Sequence, residues 1–218
     1  MEADPGVMKP LRSTTATLPL FPLPAYYLFP GVVAPLHIFE TRYRRMVADL
    51  MDGPGRFVLT AYNTDAPAGD FGPRTLPIGT MAEILRHDQL DDGRYLMLIA
   101  ALSRVRLREV DSEHLYRLVD VDVVDDSDPA AVCTPPLRAA LLKALTRRTV
   151  GDEEAPPEVT TGRLADLLLH ALELDPSRKT LAYVETDPLT RARLALAWHE
   201  EAPPAAADGA GSADHPVD

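Results

Sequence analysis

Cysteine is almost absent from this sequence. The chain of 218 residues contains one, Cys133, so an internal disulfide cannot form, and no cluster of cysteines and histidines surrounds it. Such a composition fits a reducing compartment. The first residues lack the apolar segment of a signal peptide. The longest plainly apolar run, Tyr95 to Leu102, is less than half of the roughly 20 residues that a membrane helix needs. We therefore expect a soluble, cytoplasmic protein with no membrane partner.

Positive charge is scarce relative to negative charge. The chain holds 22 lysine and arginine residues against 33 aspartate and glutamate residues, a formal net charge of −11. Affinity for nucleic acid comes mostly from basic side chains that neutralise phosphates, so we expect no nucleic-acid partner. Arg104, Arg106 and Arg108 alternate along a predicted strand. This stripe could hold an acidic ligand, but we interpret it as a solvated face that aspartates neutralise.

Motifs of known reaction centres are also missing. The sequence contains no G-x-x-x-x-G-K-[ST], G-x-G-x-x-G, H-E-x-x-H or C-x-x-C, and no G-x-S-x-G. His37 could act as a general base, because histidine titrates near neutrality, or it could be a hydrogen-bonded histidine at the edge of the core. Cys133 could be a nucleophile before a helix start, or an incidental residue of a linker. We predict no catalytic residue, no cofactor and no metal site.

Strand patterns dominate the first half of the chain, from Thr17 to about Asp125. Proline interrupts the first apolar stretch, which predicts strands that are short, bent or at a sheet edge. Asp92-Gly93 separates two apolar runs, as in a hairpin turn. The strand candidates are an apolar stretch from Leu18 to Phe29, then Val32 to Phe39, Arg56 to Tyr62, Gly79 to His87 and Tyr95 to Val110.

A short helix is predicted between the second and third of these strands. Tyr43, Met46, Val47, Leu50 and Met51 recur at helical spacing, and Gly53 follows as a stop signal. Glu40 and Arg44 can pair along this helix, since they are four residues apart. Nothing here places a nucleophile beside a base, so we interpret the junction between strand and helix as architecture.

A second hairpin is predicted from alternating charges. The arginine stripe is followed by Asp120 and Asp122, which alternate with valines. A three-residue loop centred on Glu113 sets Arg106 opposite Asp120 and Arg104 opposite Asp122. Each such pair would contribute roughly 0.2–1 kcal/mol.

Helical patterns replace strands beyond Asp125. Thr134-Pro135, Asp175-Pro176 and Asp187-Pro188 each combine a capping residue with proline at the first helical position. Leucines from Leu164 to Leu172 mark another helix, and the tail from Glu201 has too little apolar content to fold. Strands followed by helices indicate an α+β fold. We divide the chain into a flexible arm (1–16), a β-rich domain (17–126), a helical domain (127–200) and a disordered tail (201–218).

One long segment, LPLFPLPAYYLFPGVVAPLHIFETRYRRMV, resembles the start of the N-terminal substrate-binding domain of Lon proteases. The family pattern L-P-L-F-P-L, F-P-G and P-L-x-I-F-E-x-R-Y is matched at 18–23, 29–31 and 35–43. Ile78-Gly79-Thr80, Asp92-Gly93-Arg94 and Asp187-Pro188 with Arg191 match later family positions. The sequence departs from the family at Ala101, Arg104 and Val105, so the strand geometry there is in question.

The resemblance implies a PUA-like β-barrel-type body with an inserted helix, followed by a C-terminal helical bundle. The chain resembles a stand-alone Lon-domain protein, because neither a Walker motif nor a protease signature follows. ATPase and protease activity are therefore not expected. PUA-like folds elsewhere bind RNA, which keeps nucleic-acid binding as a third hypothesis, against the net charge of −11.

Function is expected to be non-enzymatic binding of polypeptide segments, or of a protease complex. Candidate contact residues near turns are Tyr26, Tyr27 and Phe71, with a cleft between the β-rich and helical parts as the first place to look. An open sheet edge could also take a peptide by strand addition. The alternative is a small hydrolase in which His37, His87 or His114 meets a carboxylate. The partner's identity and the oligomeric state stay open.

Overall fold

The computed structural model describes residues 16–70, 72–127, 135–148 and 159–203. Within these residues it contains six strands and five helices, and the α+β class is confirmed. The order is β1 (Ala16–Leu23), β2 (Val33–Ile38), α1 (Thr41–Leu50), β3 (Arg56–Ala61), β4 (Ile78–Gln89), β5 (Tyr95–Val110), β6 (Arg117–Val123), α2 (Pro135–Thr146), α3 (Thr161–Ala171), α4 (Pro176–Val184) and α5 (Pro188–Glu201).

The six strands form one mixed sheet in the order β2-β5-β4-β3-β1-β6. The pairing of β1 with β3 is parallel, and the other pairings are antiparallel. Because β5 also pairs with β6, five strands close into a ring. The sheet is not a clean barrel, since β2 lies outside this ring on β5. The PUA-like assignment of the body stays a prediction.

Two prolines are accommodated in β1, which lies between β3 and β6 and is therefore not at a sheet edge, one of the three possibilities that its prolines left open. Pro19 faces Leu118 of β6, and Pro22 faces Thr60 of β3. Each neighbour pairs with only half of β1, so each proline has a partner strand on one side. The N–H that each proline lacks can therefore affect hydrogen bonding to one neighbouring strand at most.

The hydrophobic core has two parts. A small cluster fills the ring with Leu20, Val58, Val105, Val119 and Val121. A larger cluster joins the other face of the sheet to α1 and to the helices that follow β6. Because this larger cluster contains residues from the sheet and from the helices, the sheet and the helices share this part of the core. The predicted boundary near residue 126 stays a prediction.

Helix α1 lies where the sequence predicted it. Its buried side chains are Tyr43, Met46, Val47 and Leu50, which are four of the five apolar residues that carried the prediction. The predicted pairing of Glu40 with Arg44 is replaced by a pair of Glu40 with Arg42, whose nitrogen lies 2.8 Å from the carboxylate. Arg44 instead lies against the turn at Gly93 between β4 and β5. The helix packs on the sheet, whereas Phe39 at its junction with β2 is 62% exposed, so the architectural interpretation of that junction stays a prediction.

The hairpin of β5 and β6 forms, but its register differs from the prediction by two residues. Arg106 faces Asp122 and Arg108 faces Asp120, because β5 ends at Val110 and β6 begins at Arg117. The connection between these strands is longer than the predicted three-residue loop, which shifts every cross-strand pair by two residues. Arg104 does not belong to the solvated stripe, since only 2% of it is exposed. The helices cover the sheet at Arg104 and leave Arg106 and Arg108 in solvent.

Buried ion pairs attach the helices to the sheet. Arg104 of β5 makes two hydrogen bonds to Asp166 of α3, at 2.9 and 3.1 Å. Arg191 of α5 donates to the same carboxylate at 3.1 Å and also bonds Asp126, which follows β6. Among the described residues, no buried side-chain nitrogen or oxygen lacks a hydrogen-bond partner. The network is therefore fully paired, as a buried ionic cluster must be to be tolerated.

The predicted caps of the last two helices are confirmed. Asp175 accepts hydrogen bonds from the amides of Ser177 and Arg178, and Asp187 accepts one from Thr190. Thr134, the third predicted cap, lies outside the described residues, as do the N-terminal arm up to residue 15, Cys133 and the tail from residue 204. None of the described helices is both long and apolar enough to span a membrane.

Candidate functional site

A cleft separates the sheet from α4, close to where the sequence predicted one. Its volume is about 450 Å³. We call it the tyrosine cleft. It is lined by Ala25, Tyr27, Tyr62, Asn63, Thr64, Asp65, Leu76, Pro176, Ser177, Thr180, Leu181 and Val184.

Tyr27 is held in the wall of this cleft by contacts on two sides. Its hydroxyl lies 2.7 Å from Thr180 Oγ1, and its ring meets Tyr183 edge-to-face at 5.5 Å between centroids. Ala25, at the rim, has a φ of 49°, a left-handed backbone conformation that costs a non-glycine residue of order 1 kcal/mol or more. The loop after β1 is therefore tightly constrained where it borders the cleft.

Tyr183 packs against Tyr27 and is itself held in place by hydrogen bonds. Its hydroxyl donates to the carbonyl of Leu59 at 3.0 Å and lies 3.1 Å from Thr80 Oγ1. Complete burial raises the pKa of this phenol, so it stays neutral. These bonds tie α4 to β3 and β4 and hold the cleft in shape.

The structure describes two of the three contact residues predicted from sequence, Tyr26 and Tyr27. Tyr27 lines the cleft, whereas Tyr26 is half-buried against the core and its burial raises its pKa. Phe71 lies outside the described residues. A role in peptide binding stays a prediction for all three. Sequence reasoning missed Leu181, which is 52% exposed at the cleft. No sequence pattern singles out Leu181, because the burial of the adjacent Ala182 and Tyr183 is known only from the structure.

A second surface lies on the outer face of β2 and β5. We call it the β2 face. Its apolar side chains are strongly exposed, at 62% for Phe39, 53% for Val33, 45% for Leu96 and 39% for Leu98. Pro35 faces Leu98 and His37 faces Leu96 across the two strands. The face consists of Val33, Pro35, His37, Phe39, Leu96 and Leu98.

The β2 face ends at an open sheet edge. In the described part of the chain, β2 pairs with β5 alone. The amide of Ala101 donates to the carbonyl of Val32 at 2.9 Å, so the carbonyl of Val32 points to β5. Backbone groups alternate in direction along a strand. Those of Val33, Pro35 and His37 therefore point to the open edge.

A small apolar pocket adjoins the end of β2. Its volume of about 90 Å³ gives room for one side chain, since pockets for drug-sized ligands hold roughly 300 Å³ or more. We call it the Phe39 pocket. It is lined by Phe21, Leu23, Leu36, His37, Ile38, Phe39, Glu40 and Tyr43.

A protein-family model matches residues 17–198 of this chain. Its description is the substrate-binding domain of the ATP-dependent protease La (LON). The chain belongs to this family. The match covers all the described strands but the first residue of β1, and every described helix to within a few residues of its end.

Relatives of the chain include Lon proteases and their N-terminal domains. A Lon protease of Desulfovibrio desulfuricans is 23% identical over 203 residues, which make up 88% of this chain and 23% of that protein. A Lon protease of Desulfosudis oleivorans is 31% identical over 93 residues, 42% of this chain and 11% of that protein. The chain thus spans less than a quarter of the length of these two Lon proteases.

Solved structures of Lon N-terminal domains share the fold. A Lon N-terminal domain protein from Xanthomonas campestris has a TM-score of 0.59 and 23% identity, covering 84% of this chain and 98% of that one. The N-terminal domain of a Mycobacterium avium complex Lon protease has the same TM-score at 16% identity, covering 85% and 99%. At these identities the likeness shows the fold and no more.

The three histidines of the alternative hydrolase hypothesis lie in different surroundings of the Lon domain. His37 contacts Phe39, His87 contacts Tyr95 and His114 stacks on Tyr116. His37 and His87 lie on β2 and β4, and Asp88 is separated from His37 by the intervening Leu96. In the part of the chain described, no group of three metal-binding side chains was found. His114 does meet a carboxylate, since its Nδ1 lies 3.9 Å from Asp49 Oδ2, but it follows the end of β5, whereas His37 and His87 lie beside the first residues of that strand.

Proposed function

We propose that this Lon-family chain is a non-enzymatic module that binds apolar segments of unfolded or degron-like polypeptide in the cytoplasm. A protease to which it delivers such segments, or from which it withholds them, is the proposed partner complex. The family description as a substrate-binding domain supports binding over catalysis. The buried charged groups support it too, because Arg104, Asp166 and Arg191 are committed to one another.

The observation that carries the proposal is the clustering of exposed apolar side chains on the β2 face. Eight large apolar side chains are exposed in the described residues, and four of them, Val33, Phe39, Leu96 and Leu98, lie on this face. Single exposed apolar residues are ordinary, whereas contiguous ones mark interaction surfaces. A polypeptide that exposes apolar residues would bury both surfaces from water.

The proposal is tested by measuring binding of a fluorescently labelled polypeptide in its unfolded and folded states. We expect saturable binding of the unfolded form and none of the folded form, because folding hides the apolar side chains that the β2 face would contact. The measurement is fluorescence anisotropy, with circular dichroism to verify that the chain itself is folded. No saturable binding by the folded chain would contradict the proposal.

The tyrosine cleft is the second candidate location for polypeptide binding. Leu181 exposes 52% of its surface there, beside the hydroxyls of Tyr27 and Thr180. Leu181→Glu would weaken binding if the cleft is the site, and would leave it unchanged if the β2 face is. The same anisotropy measurement separates these locations when it is repeated with a variant of the β2 face.

A further inference from the structure

We propose that the β2 face binds its polypeptide by strand addition, so that an extended segment continues the sheet beyond β2. This inference rests on the proposed function, and it specifies how the bound segment is held. The occupant is an extended, apolar segment of another polypeptide, with neutral or basic residues at its ends.

The backbone of β2 provides the first reason. Val33 and His37 each direct an N–H and a carbonyl to the open edge, and Pro35 between them directs a carbonyl only. An extended backbone is the partner that matches such a row of groups. Since Val33 and His37 are four residues apart, the donors lie roughly 13 Å from each other. A segment of at least five residues is therefore needed to reach both.

The side chains provide the second reason. An added strand places every second side chain on the β2 face, beside Val33, which faces Ala100 of β5, and beside Pro35, which faces Leu98. At the other end of β2, the Phe39 pocket has room for one further apolar side chain. An alternating apolar segment fits this arrangement, because each inward side chain meets an apolar one.

Charge decides between possible occupants. The charged side chains beside the face are paired, Arg86 with Asp88 at 3.5 Å and Arg42 with Glu40 at 2.8 Å, so the face offers no attraction to an acidic segment. The whole chain carries −11, which repels acidic segments and attracts basic ends. A second copy of the chain carries the same −11. A symmetric pair of β2 strands centred on Pro35 would also set two prolines opposite each other, without N–H donors at the centre.

The first test compares substitutions of two equally exposed valines. Val33 on the β2 face and Val123 on β6 are each 53% exposed, so Val33→Glu and Val123→Glu add the same charge to equally accessible positions. We expect Val33→Glu to weaken binding of an apolar peptide of six residues or more by roughly tenfold, and Val123→Glu to leave it unchanged. Leu98→Glu provides a second variant of the face, and circular dichroism verifies that each is folded.

The second test addresses the backbone. His37→Pro removes an outward N–H while the bonds of β2 to β5 are kept, and Pro35 occupies an equivalent outward position in the native strand. His37→Ala removes the side chain and keeps the N–H. We expect His37→Pro to bind peptide roughly threefold to tenfold more weakly than His37→Ala, the effect of one hydrogen bond.

The outcomes separate the inference from the proposed function. If the unaltered chain binds no unfolded polypeptide, both are overturned. If it binds, but Val33→Glu and Leu98→Glu bind as well as Val123→Glu does, the inference fails and the proposed function stands. If His37→Pro and His37→Ala bind equally, the segment contacts side chains alone and strand addition is wrong.

Discussion

Arg104 illustrates what a single residue's sequence context can and cannot reveal. Alternation with Val105 and Leu107 placed it on the same face of β5 as Arg106 and Arg108. The solvated environment predicted for Arg104 was wrong, because α3 and α5 lie over this residue and supply Asp166 and Arg191. These partners are 62 and 87 residues away in the sequence, and no local pattern indicates them. Asp166 likewise shows no signal beyond being an aspartate on a leucine-rich helix.

Replacing Asp166 is expected to destabilise the fold strongly. Asp166→Asn keeps the shape of the side chain and leaves Arg104 buried without the carboxylate that neutralises it, while Arg191 keeps its pair with Asp126. Breaking a buried pair in this way costs about 3–5 kcal/mol. Urea unfolding followed by circular dichroism measures the change. Asp88→Asn is the control, since its pair with Arg86 is exposed and contributes about 0–1 kcal/mol.

Asp187 is expected to make stability depend on pH. Hydrogen bonds from Thr190 lower the pKa of this N-cap carboxylate below its ordinary value of 3.8. Since the folded pKa is lowered, the contribution is fully present above pH about 4 and is lost as the pH falls through the lowered pKa. We expect Asp187→Ala to reduce the free energy of unfolding by about 1 kcal/mol at neutral pH. A deficit that stays constant down to pH 2 would contradict this cap's ionised state.

At the scale of the elements, apolar periodicity predicted the strands and α1 well, but the pairings between strands could not be derived. The hairpin register depends on the length of the connection between β5 and β6, where Asp111 to Tyr116 carry no decisive turn signal. Likewise, Val32 to Phe39 was predicted as a strand, whereas the exposure of β2 within it follows from pairing with β5 alone. The β2 face was therefore missed, although strand addition to an open edge was considered.

The closed ring of strands is expected to be intolerant of added volume at Gly79. A Cβ at this position would lie 2.7 Å from Val58 Cγ1 and 2.8 Å from Leu107 Cδ2, inside the ring. Overpacking of this kind costs about 1–3 kcal/mol, so Gly79→Ala should lower the free energy of unfolding by that amount. Gly53→Ala is the matched control, since its nearest atom lies 3.9 Å away. Equal stability of the two variants in urea would contradict the tight interior.

At the scale of the whole molecule, the α+β class and the family resemblance were predictable, because both rest on segments that are contiguous in the sequence. The net charge of −11 is a property of the whole chain and bears on its partners. How the sheet and helices share one core was not predictable, since it depends on contacts between distant segments such as β5 and α3.

Charge is expected to discriminate among polypeptides that bind. An apolar peptide with lysine at both ends should bind more tightly than the same peptide with glutamate at both ends, since the chain carries −11. Salt should reduce this difference, because the Debye length falls from roughly 10 Å at 0.1 M to roughly 3 Å at 1 M. Anisotropy titrations of both peptides at low and high salt measure it. Tighter binding of the acidic peptide would contradict the proposed occupant.

Amide hydrogen exchange with and without a bound apolar peptide tests the central claim most directly. Added strands protect the outward amides of the edge to which they bind, so the account predicts slower exchange at Val33 and His37 on addition of peptide. Thr180 and Leu181, beside the tyrosine cleft, should be unaffected. Protection confined to the cleft, with unchanged exchange along β2, would show that polypeptide binds elsewhere and that the sheet edge is not the docking surface.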